Sequence, residues 1–383
     1  MRIGMFTDCY TPIINGVVSS IRTSVDALRE AGHEVTVLAP EEPGYRERDK
    51  AILRFKAIIF PFQKEERVAL PFPVRNFQLL SSLNLDVVHV HTPFSLGLLG
   101  LWHARKRRIP LVFTYHTMFA DYVHYIPLPQ DFMRKLAIEI SRGFCNQCQA
   151  IIAPSTEVQR ILGTYGVTAP TCVISSAVNG NHFGEGSGEF VLSRHGLPKG
   201  ARILLFVGRL GKEKGLDFLL QAFRSIYREF PDVYLFLVGD GPERRPYEDL
   251  CSKLGIRERV VFTGYVGREE IPHYYAASYL FWFSSLTETQ GLVLLEALAA
   301  GSPVVAVRAT GVSEMGVEDE DSFFTDNEEE SFLSATRVLL QDRDLRNRMG
   351  ERGRANAKRF SPASAASQLI RVYHSAAQVV RSQ

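Results

Sequence analysis

Short apolar segments alternate with longer stretches of helical periodicity along the chain, and this alternation constrains its fold more than any other feature. In the first half the apolar segments predict strands at residues 2–8, 33–39, 86–91, 111–115 and 150–154. Residues 17–31 predict a helix between the first two strands, which Gly32 ends. Strands that alternate with helices are typical of βαβ units, so we expect a parallel sheet with helices on both faces.

The alternation begins again after residues 179–188, a Gly- and Ser-rich segment that we interpret as a connector. The second set of predicted strands covers residues 203–207, 234–238, 260–263, 279–283 and 304–307. We therefore expect an α/β protein of two Rossmann-like, doubly wound domains that face each other across a cleft. Open sheets of this kind bind ligands at the carboxyl ends of their strands.

The predicted domain boundaries follow from this division. The first domain covers residues 1–178 and the second covers residues 179–360. The last segment, 361–383, predicts a helix over about 362–380. The sequence does not reveal what this helix packs against, and the N-terminal domain is one candidate.

Charge and hydropathy exclude several classes of protein. The 383 residues carry 44 Lys and Arg against 42 Asp and Glu, a net charge of +2, which is far from that of a dedicated nucleic-acid binder. No segment approaches the roughly 18 consecutive apolar residues of a membrane span, and the first residues lack the pattern of a signal peptide. We expect a cytoplasmic protein whose only membrane contact is peripheral, on the inner membrane face.

Five cysteines do not form a disulfide framework. Cys145 and Cys148 form a C-x-x-C pair, which occurs in redox and zinc sites, but no second pair of ligands accompanies it. We interpret both as small residues on one helix face.

The segment from Thr287 to Gly301 is the most informative for function. Between residues 292 and 300 every residue except Glu296 is apolar, which predicts a buried helix with one carboxylate in it. An unpaired buried carboxylate costs several kcal/mol, so its oxygens need a partner such as a cation, backbone donors or the two hydroxyls of a ribose. Glu288 precedes the helix, and backbone N–H groups at its start, around Gln290, Gly291 and Leu292, suit a phosphate or sugar oxygen. A buried structural Glu with a surface Glu is the alternative.

A cation-rich loop, residues 208–215, follows the predicted strand 203–207. Arg209 can bind two oxygens of a diphosphate through its planar guanidinium group, and Lys214 can add a point charge. Lys212 is expected to be solvated. Charged loops between strands and helices are common, so this loop alone is a weak signal.

Two further features lie at predicted strand ends in the first domain. Gly16 begins the first helix, where a residue without a side chain lets a ligand approach the backbone. His91 and His116 follow two of the strands, where side chains reach the cleft, so at least one of them is a candidate substrate contact.

Other nucleotide-binding classes lack their motifs. A nicotinamide-binding domain needs Gly-x-Gly-x-x-Gly early in the chain, and a P-loop needs Gly-x4-Gly-Lys-Ser/Thr; neither is present. Asp319 and Asp321 have a carboxylate spacing used in some metal sites, but they lie in an acidic run that we interpret as a solvated loop. We expect no essential metal and no cofactor. A non-enzymatic two-domain sugar-binding protein stays open as an alternative.

Taken together, these motifs resemble glycosyltransferase family 4, whose members are retaining, nucleotide-sugar-dependent enzymes of the GT-B fold. The resemblance rests on Glu288 and Glu296 in Glu-Thr-Gln-Gly-Leu-Val-Leu-Leu-Glu, on Gly-Arg-Leu-x-x-x-Lys-Gly upstream and on Asn-Gly-Val at residues 15–17. The segments 6–17, 115–118 and 287–291 are most similar to the diacylglycerol glucosyltransferases.

The resemblance implies a role for each candidate residue. Gly16 would lie against the donor diphosphate, Arg209 and Lys214 would neutralise it, and Glu296 would hold the ribose. Glu288 would bind the donor sugar, and His116 would reach its O6 side. Near the domain crossing the family usually has Pro-x-Gly-Ile/Val-Asp, whereas residues 175–179 here read Ser-Ser-Ala-Val-Asn.

The resemblance further implies a UDP-sugar donor, glucose as the sugar, and a membrane lipid such as diacylglycerol as the acceptor. The residues themselves fit uridine and guanosine donors alike, so a GDP-sugar donor with a phosphatidylinositol-type or soluble sugar acceptor stays open.

Charge is distributed unevenly between the two halves. Residues 1–180 carry 19 Lys and Arg against 15 Asp and Glu, and the remainder carries 25 against 27. Residues 132–144 predict an amphipathic helix that either packs on the core or lies on an anionic bilayer surface, and the aromatic residues Phe119, Tyr122 and Tyr125 precede it. The basic run 105–108 either adds to this patch or ends an ordinary helix.

Overall fold

A computed structural model describes residues 1–60, 63–70, 80–123, 128–309 and 311–382. The chain forms two compact units. The N-terminal unit contains Met1–Ala177 together with Pro362–Gln383, and the C-terminal unit contains Val178–Ser361. The sequence predicted the end of the first domain at residue 178, one residue later than observed. It predicted the end of the second domain at residue 360, one residue earlier than observed.

The N-terminal unit is built on a parallel sheet with the strand order β3-β2-β1-β6-β7-β8-β9. Its strands are β1 (Arg2–Phe6), β2 (Glu34–Pro40), β3 (Ile52–Phe55), β6 (Val87–Val90), β7 (Leu111–Thr114), β8 (Ala150–Ala153) and β9 (Thr171–Val173). The strands β4 (Ala57–Phe60) and β5 (Gln63–Ala69) pair as a separate antiparallel hairpin. The five predicted strands correspond to β1, β2, β6, β7 and β8, whereas the strands β3 and β9 and the hairpin were not predicted.

Helices cover both faces of this sheet. They are α1 (Gly16–Glu30), α2 (Ser95–Arg107), α3 (Gln130–Cys145), α4 (Thr156–Thr164) and α13 (Pro362–Arg381). Ile3 and Met5 of β1 face α1 and α13, whereas the neighbouring Phe6 faces the cluster that holds α2, α3 and α4, as the alternation of side chains along a strand requires. The C-terminal helix α13 therefore belongs to the N-terminal unit.

The C-terminal unit repeats this architecture with the strand order β12-β11-β10-β13-β14-β15. Its strands are β10 (Arg202–Val207), β11 (Val233–Val238), β12 (Val260–Gly264), β13 (Ser278–Phe283), β14 (Val304–Val307) and β15 (Ser322–Thr325). Every pairing in this sheet is parallel. The edge strand β15 was not predicted.

The helices of this unit surround one apolar core. They are α5 (Gly180–Gly184), α6 (Gly188–Arg194), α7 (Leu216–Glu229), α8 (Arg244–Leu254), α9 (Ile271–Ala277), α10 (Leu292–Ala300), α11 (Glu329–Gln341) and α12 (Arg343–Ala357). Because consecutive parallel strands need crossover connections, these helices return the chain to the amino end of the sheet.

The interpretation of residues 179–188 as a connector was wrong. The segment contains α5, and Phe183 is buried in the core of the C-terminal unit. A Cβ atom on Gly186 would collide with the carbonyl oxygen of Pro272. Gly186 and Gly188 therefore permit close packing against α9.

No helix in the described part of the chain is both long enough and apolar enough to cross a membrane.

Candidate functional site

Two loops of the C-terminal unit meet at the carboxyl ends of the neighbouring strands β10 and β13. The cationic loop, Gly208–Gly215, follows β10, and Ser284 and Ser285 follow β13. The Ser284 hydroxyl donates to the carbonyl oxygen of Lys214 at 2.7 Å, and the Ser285 hydroxyl donates to that of Glu213 at 3.1 Å. Gly215, at φ 64°, allows the close approach, since a Cβ there would lie 2.8 Å from the Ser284 carbonyl oxygen. The two serines thus fix the cationic loop, and sequence reasoning did not identify them.

Lys214 and Glu288 lie together in this site. The Lys214 ammonium group donates to Oε1 of Glu288. The two side chains are 15 % and 16 % exposed, respectively. The sequence assigned these residues to different parts of a ligand but did not place them in contact. An ion pair at this depth is screened little by solvent, so each charge orients the other.

The other cations of the loop differ in their surroundings. Nη1 of Arg209 lies 3.6 Å from Oε1 of Glu213, whose side chain is almost fully buried. Lys212 is exposed, as predicted, and its Nζ lies 4.0 Å from Glu243. Arg209 and Lys214 are therefore the cations that the fold holds in place.

Helix α10 begins beside Glu288 with Gly291 in the left-handed region, at φ 79°. Among the described residues no side chain caps the helix, and Gln290 before it is buried. The first N–H groups of any helix lack intrahelical acceptors. Residues 290–292 therefore present backbone donors and the positive end of the helix dipole, which suit an anionic or hydroxyl oxygen.

Glu296 lies one turn further along α10, and most of this helix is buried, as predicted. Its Oε2 accepts a hydrogen bond from the Tyr275 hydroxyl at 2.6 Å. Burial raises the pKa of Glu296 to about 7, whereas the Tyr275 hydrogen bond and the charge of Arg268 act to lower it. Among the described residues Oε1 has no hydrogen-bond partner, and Glu296, Leu292 and Val293 form the partly exposed face of the helix. The carboxyl group is thus held on one side and accessible on the other.

In the N-terminal unit, Gly16 is the first residue of α1 and is exposed. The preceding Asn15 caps the helix through its Oδ1, which accepts from the Val18 amide at 2.9 Å. No described atom lies within 4 Å of a Cβ built on Gly16. The helix start is therefore open on the side of Gly16.

His116 forms part of a histidine cluster at the ends of β6 and β7. Its Nε2 lies 2.9 Å from Nδ1 of His91, and the two rings are stacked. Behind them, His89 bonds to the Tyr373 hydroxyl at 2.8 Å and to the Thr114 hydroxyl at 2.7 Å. Burial lowers the pKa of His116 to about 4 and that of His89 to about 3, and it lowers the pKa of His91 well below the usual value. These imidazoles are therefore neutral at pH 7.

Asp321, Cys145 and Cys148, the alternatives for a metal or thiol site, are buried. Within the described ranges, no group of three or more His, Cys, Asp or Glu side chains could hold a metal ion. The expectation that Asp321 lies in a solvated loop was wrong, because its side chain is buried. Its carboxylate accepts hydrogen bonds from the Val317 amide, the Ser322 hydroxyl and the Asn356 amide group. Burial raises the pKa of Cys145 to about 12 and raises that of Cys148 well above its usual value, so neither thiol is a reactive thiolate. Cys145 ends α3 and Cys148 follows it, so the two do not share a helix face.

The amphipathic segment 132–144 lies in α3, and its apolar stripe does not face the core. Phe132, Leu136 and Ile140 are exposed, by 61 %, 39 % and 48 %, whereas Ser141, Phe144 and Cys145 are buried. Of the aromatic residues before it, Phe119 packs against Tyr115, while Tyr125 lies outside the described residues. Of the two alternatives that the sequence left open for this helix, packing on the core therefore does not hold for Phe132, Leu136 and Ile140.

A second exposed stripe lies on α2. Leu98 and Trp102 point outward, and Nζ of Lys106 lies 4.7 Å from the Trp102 ring centroid. The residues 87–108 contain no Asp or Glu and end in the four cations 105–108. The side chain of Arg105 bonds to Gln147, just after α3, at 2.7 Å. We call the five residues Leu98, Trp102, Phe132, Leu136 and Ile140 the apolar surface.

Sequence comparisons cover nearly the whole chain. The family model described as "Glycosyltransferase Family 4" matches residues 14–181, and that described as "Glycosyl transferases group 1" matches residues 189–356. An alpha-monoglucosyldiacylglycerol synthase of Streptococcus pneumoniae is 35% identical over 80% of this chain and 71% of its own length. A GDP-mannose-dependent alpha-mannosyltransferase of Corynebacterium glutamicum is 28% identical over 89% of this chain and 81% of its own length.

The fold is shared with solved structures. Anabaena HepE in complex with UDP and glucose superposes with a TM-score of 0.79 at 20% identity, over 98% of this chain and all of that one. The chain thus contains two parallel Rossmann-like sheets, matches both family models and shares its fold with this solved structure. It therefore belongs to glycosyltransferase family 4, has the GT-B fold and is a glycosyltransferase rather than a non-enzymatic sugar-binding protein.

Proposed function

We propose that this enzyme is a retaining glucosyltransferase that transfers glucose from UDP-glucose to a diacylglycerol-type membrane lipid. The main support for the position of the donor site is that Lys214, Glu288 and the start of α10 lie together at the carboxyl ends of β10 and β13. The glucose and diacylglycerol assignments draw on the name of the 35% identical Streptococcus pneumoniae relative.

The proposed donor contacts follow from the chemistry of each group. Arg209 and Lys214 bind the diphosphate, with the backbone donors of Gln290, Gly291 and Leu292. Oε1 of Glu296 accepts from the ribose hydroxyls, and Glu288 accepts from hydroxyls of the sugar. Gly16 is proposed to lie against the diphosphate and His116 to reach the O6 side of the sugar.

In the proposed reaction the acceptor hydroxyl oxygen bonds to the anomeric carbon while the bond from that carbon to the diphosphate breaks. The diphosphate leaves with the bonding electrons and takes up the acceptor's proton on the same face of the sugar, which retains the anomeric configuration. The sugar acquires oxocarbenium character as the leaving charge develops. Arg209, Lys214 and the α10 N-terminus stabilise that charge, and one fixed donor of this kind contributes about 3 to 4 kcal/mol.

We further propose that transfer needs no divalent ion, since two cationic side chains and a helix N-terminus are available to the diphosphate. Transfer rates measured with excess EDTA and with added Mg²⁺ or Mn²⁺ test this. Equal rates are expected, and a rate that depends on the added ion would contradict it.

We propose that the apolar surface lies on the inner face of an anionic membrane. Its side chains supply apolar area, and the cations at 105–108, with Arg134 and Lys135 on α3, supply attraction to acidic lipids. A diacylglycerol acceptor stays in the bilayer, so an enzyme that binds there meets its acceptor at high local concentration.

A matrix of donors and acceptors tests the function. UDP-glucose, UDP-galactose and GDP-mannose are each supplied with diacylglycerol in anionic vesicles, with phosphatidylinositol in the same vesicles, and with soluble sugars. We expect nucleotide release and glycolipid formation with UDP-glucose and diacylglycerol, and an α-linked product by NMR. A β-linked product would contradict retention, and transfer only to soluble sugars would contradict the lipid acceptor.

A GDP-mannose donor is the second candidate, because the Corynebacterium glutamicum relative carries that specificity in its name. Release of GDP rather than UDP in the same matrix would establish it in place of the first proposal.

A further inference from the structure

A pocket lies at the other end of α10, away from the proposed donor site. It has a volume of about 290 Å³ and lies where β13 and β14 begin, between α9, the end of α10 and α12. Because α10 has nine residues, its two ends are about 14 Å apart. The donor proposed above does not account for this pocket.

The side chain of Arg346 forms one wall of the pocket. Its guanidinium carbon lies 4.2 Å from the ring centroid of Tyr279, and its buried Nε has no hydrogen-bond partner among the described residues. Burial and the neighbouring charge of Arg343 lower the pKa of Arg346. Its Nη2 donates to Oδ1 of the neighbouring Asn347, and no described residue accepts from Nη1. A buried donor such as Nε without an acceptor is costly.

The side chain of Arg354 adds a second guanidinium group. It donates to the Ala300 carbonyl oxygen at 3.0 Å and lies over Gly301, where a Cβ atom would collide with it. In the part of the chain that the structure describes, neither Arg346 nor Arg354 forms an ion pair with a carboxylate. Both guanidinium groups are therefore available to an external anion.

The remaining lining is polar and small. The hydroxyl groups of Ser278 and Ser302 lie 2.8 Å apart, and the exposed Glu351 is the one carboxylate among the lining residues. The volume lies just below the range of about 300 to 1,000 Å³ usual for drug-sized ligands, so a smaller ligand fits. Arginine binds phosphate through two parallel hydrogen bonds. Two guanidinium groups and two hydroxyl groups can together donate to all the oxygens of one phosphate group.

We propose that this pocket, between Arg346 and Arg354, binds the phosphate group of a small phosphate monoester, at a site separate from the donor site. The phosphate can belong to a soluble molecule such as glycerol 3-phosphate or to the headgroup of an anionic lipid. The inference goes beyond the proposed transferase activity and does not require it.

Calorimetric titration of the full-length protein with glycerol 3-phosphate and with inorganic phosphate tests the proposal. The titrations are run with saturating UDP, so that the cationic loop of the donor site is occupied. We expect saturable binding, weakened at least about tenfold in Arg346→Gln, since one charge-assisted contact contributes about 1.5 to 3 kcal/mol. Arg346→Lys should give an intermediate affinity, because it keeps the charge and loses the planar fork.

Arg348→Gln is the matched control, because it removes the same charge from an exposed position on the same helix. It should bind both probes as the parent does. An equal loss in Arg346→Gln and Arg348→Gln, or no saturable binding of either probe by the parent in the millimolar range, would overturn the proposal. Unchanged circular dichroism melting of Arg346→Gln shows that the variant is folded.

A second arm separates the two sources of phosphate. Vesicles that contain phosphatidic acid, whose headgroup is a phosphate monoester, support the headgroup if they displace glycerol 3-phosphate where phosphatidylcholine vesicles do not. Failure of both to displace it supports the soluble ligand. If UDP does not bind at all, the donor proposal fails, while the comparison of Arg346→Gln with Arg348→Gln still decides the pocket.

Discussion

The two units share one architecture and place their polar groups differently. At the strand ends of the C-terminal unit, Lys214 pairs with Glu288, and Glu296 accepts from Tyr275. At the strand ends of the N-terminal unit, His89 and His91 are buried, His116 is half-buried, and all three are neutral. The outer helices of this unit expose apolar side chains. The doubly wound sheet of the C-terminal unit thus supports a charged site suited to a phosphorylated ligand. That of the N-terminal unit supports neutral histidines, and its outer helices carry the apolar surface.

The largest effect that tests this contrast is expected from Lys214→Ala in the charged site. Removing the ammonium group takes away stabilisation of the leaving diphosphate, so kcat should fall about 10²- to 10³-fold with a much smaller change in donor affinity. Steady-state kinetics at saturating donor measure it. Lys212→Ala, on the same loop but exposed, is the control and should retain parental kcat. Equal kcat values for Lys214→Ala and the parent would reject the assignment.

The next effect concerns the apolar surface. The double variant Phe132→Ser and Leu136→Ser removes two exposed apolar side chains of α3, and its partition to phosphatidylglycerol vesicles should fall about 100-fold, at roughly 1.4 kcal/mol per side chain. Vesicle flotation measures the partition, and transfer to a detergent-solubilised acceptor should stay unchanged.

Val338→Ser supplies the matched control for that surface. Val338 is an exposed apolar residue on α11 of the C-terminal unit, and its replacement should leave vesicle binding unaltered. Equal vesicle binding by the double variant and the parent would show that the surface does not contact lipid.

A smaller effect comes from the titration of Glu296. With a pKa of about 7, its carboxyl group is about one tenth ionised at pH 6 and nine tenths at pH 8, and the ionised form accepts hydrogen bonds from ribose more strongly than the neutral acid does. UDP affinity should therefore rise by up to about tenfold from pH 6 to pH 8 relative to Glu296→Gln, which corrects for titration of the nucleotide itself. Parallel affinity profiles for parent and variant would contradict the ribose contact.

The same pKa also fixes the sign of a stability effect. Because the folded pKa lies above the ordinary value of about 4.3, the folded state binds more protons between these values. The stabilisation is present below pH 4.3 and is lost as the pH rises through 7. Urea unfolding of Glu296→Gln should lack this decline.

The smallest effect is expected from Tyr275→Phe. The lost hydrogen bond had lowered the pKa of Glu296, so this pKa should rise above 7. For a rise of one unit, UDP affinity at pH 7 falls about fivefold and recovers at higher pH. Tyr274→Phe, the neighbouring residue on α9, should leave the affinity profile unchanged. A loss of affinity in Tyr275→Phe that persists at pH 9 would indicate a general loss of structure instead.

Much of the site followed from local patterns. The alternation of apolar segments located the ten predicted strands, and the nearly continuous apolar run around Glu296 identified the buried helix α10. The loop with Arg209 and Lys214 was found because a strand end followed by Gly and cations is a local feature. Family 4 membership was found from the sequence because its motifs are short and contiguous.

Contacts between distant residues were not predictable in this way. The pair Lys214–Glu288 joins positions 74 residues apart, Tyr275 reaches Glu296 from another helix, and His89 reaches Tyr373 across 284 residues. The pocket of Arg346 and Arg354 has no sequence motif, because α9, α10 and α12 form it only when they pack. The same holds for α3, whose amphipathic pattern did not show which of its faces would remain exposed.

The sequence by itself thus determined the elements, their alternation and the identity of the groups available for chemistry, because strand and helix periods and short motifs depend on neighbouring residues. The tertiary structure decided which charges pair, which carboxyl group has a raised pKa and which apolar stripe stays in contact with solvent. Those properties depend on burial and on distances between residues far apart in the chain, and packing alone sets both.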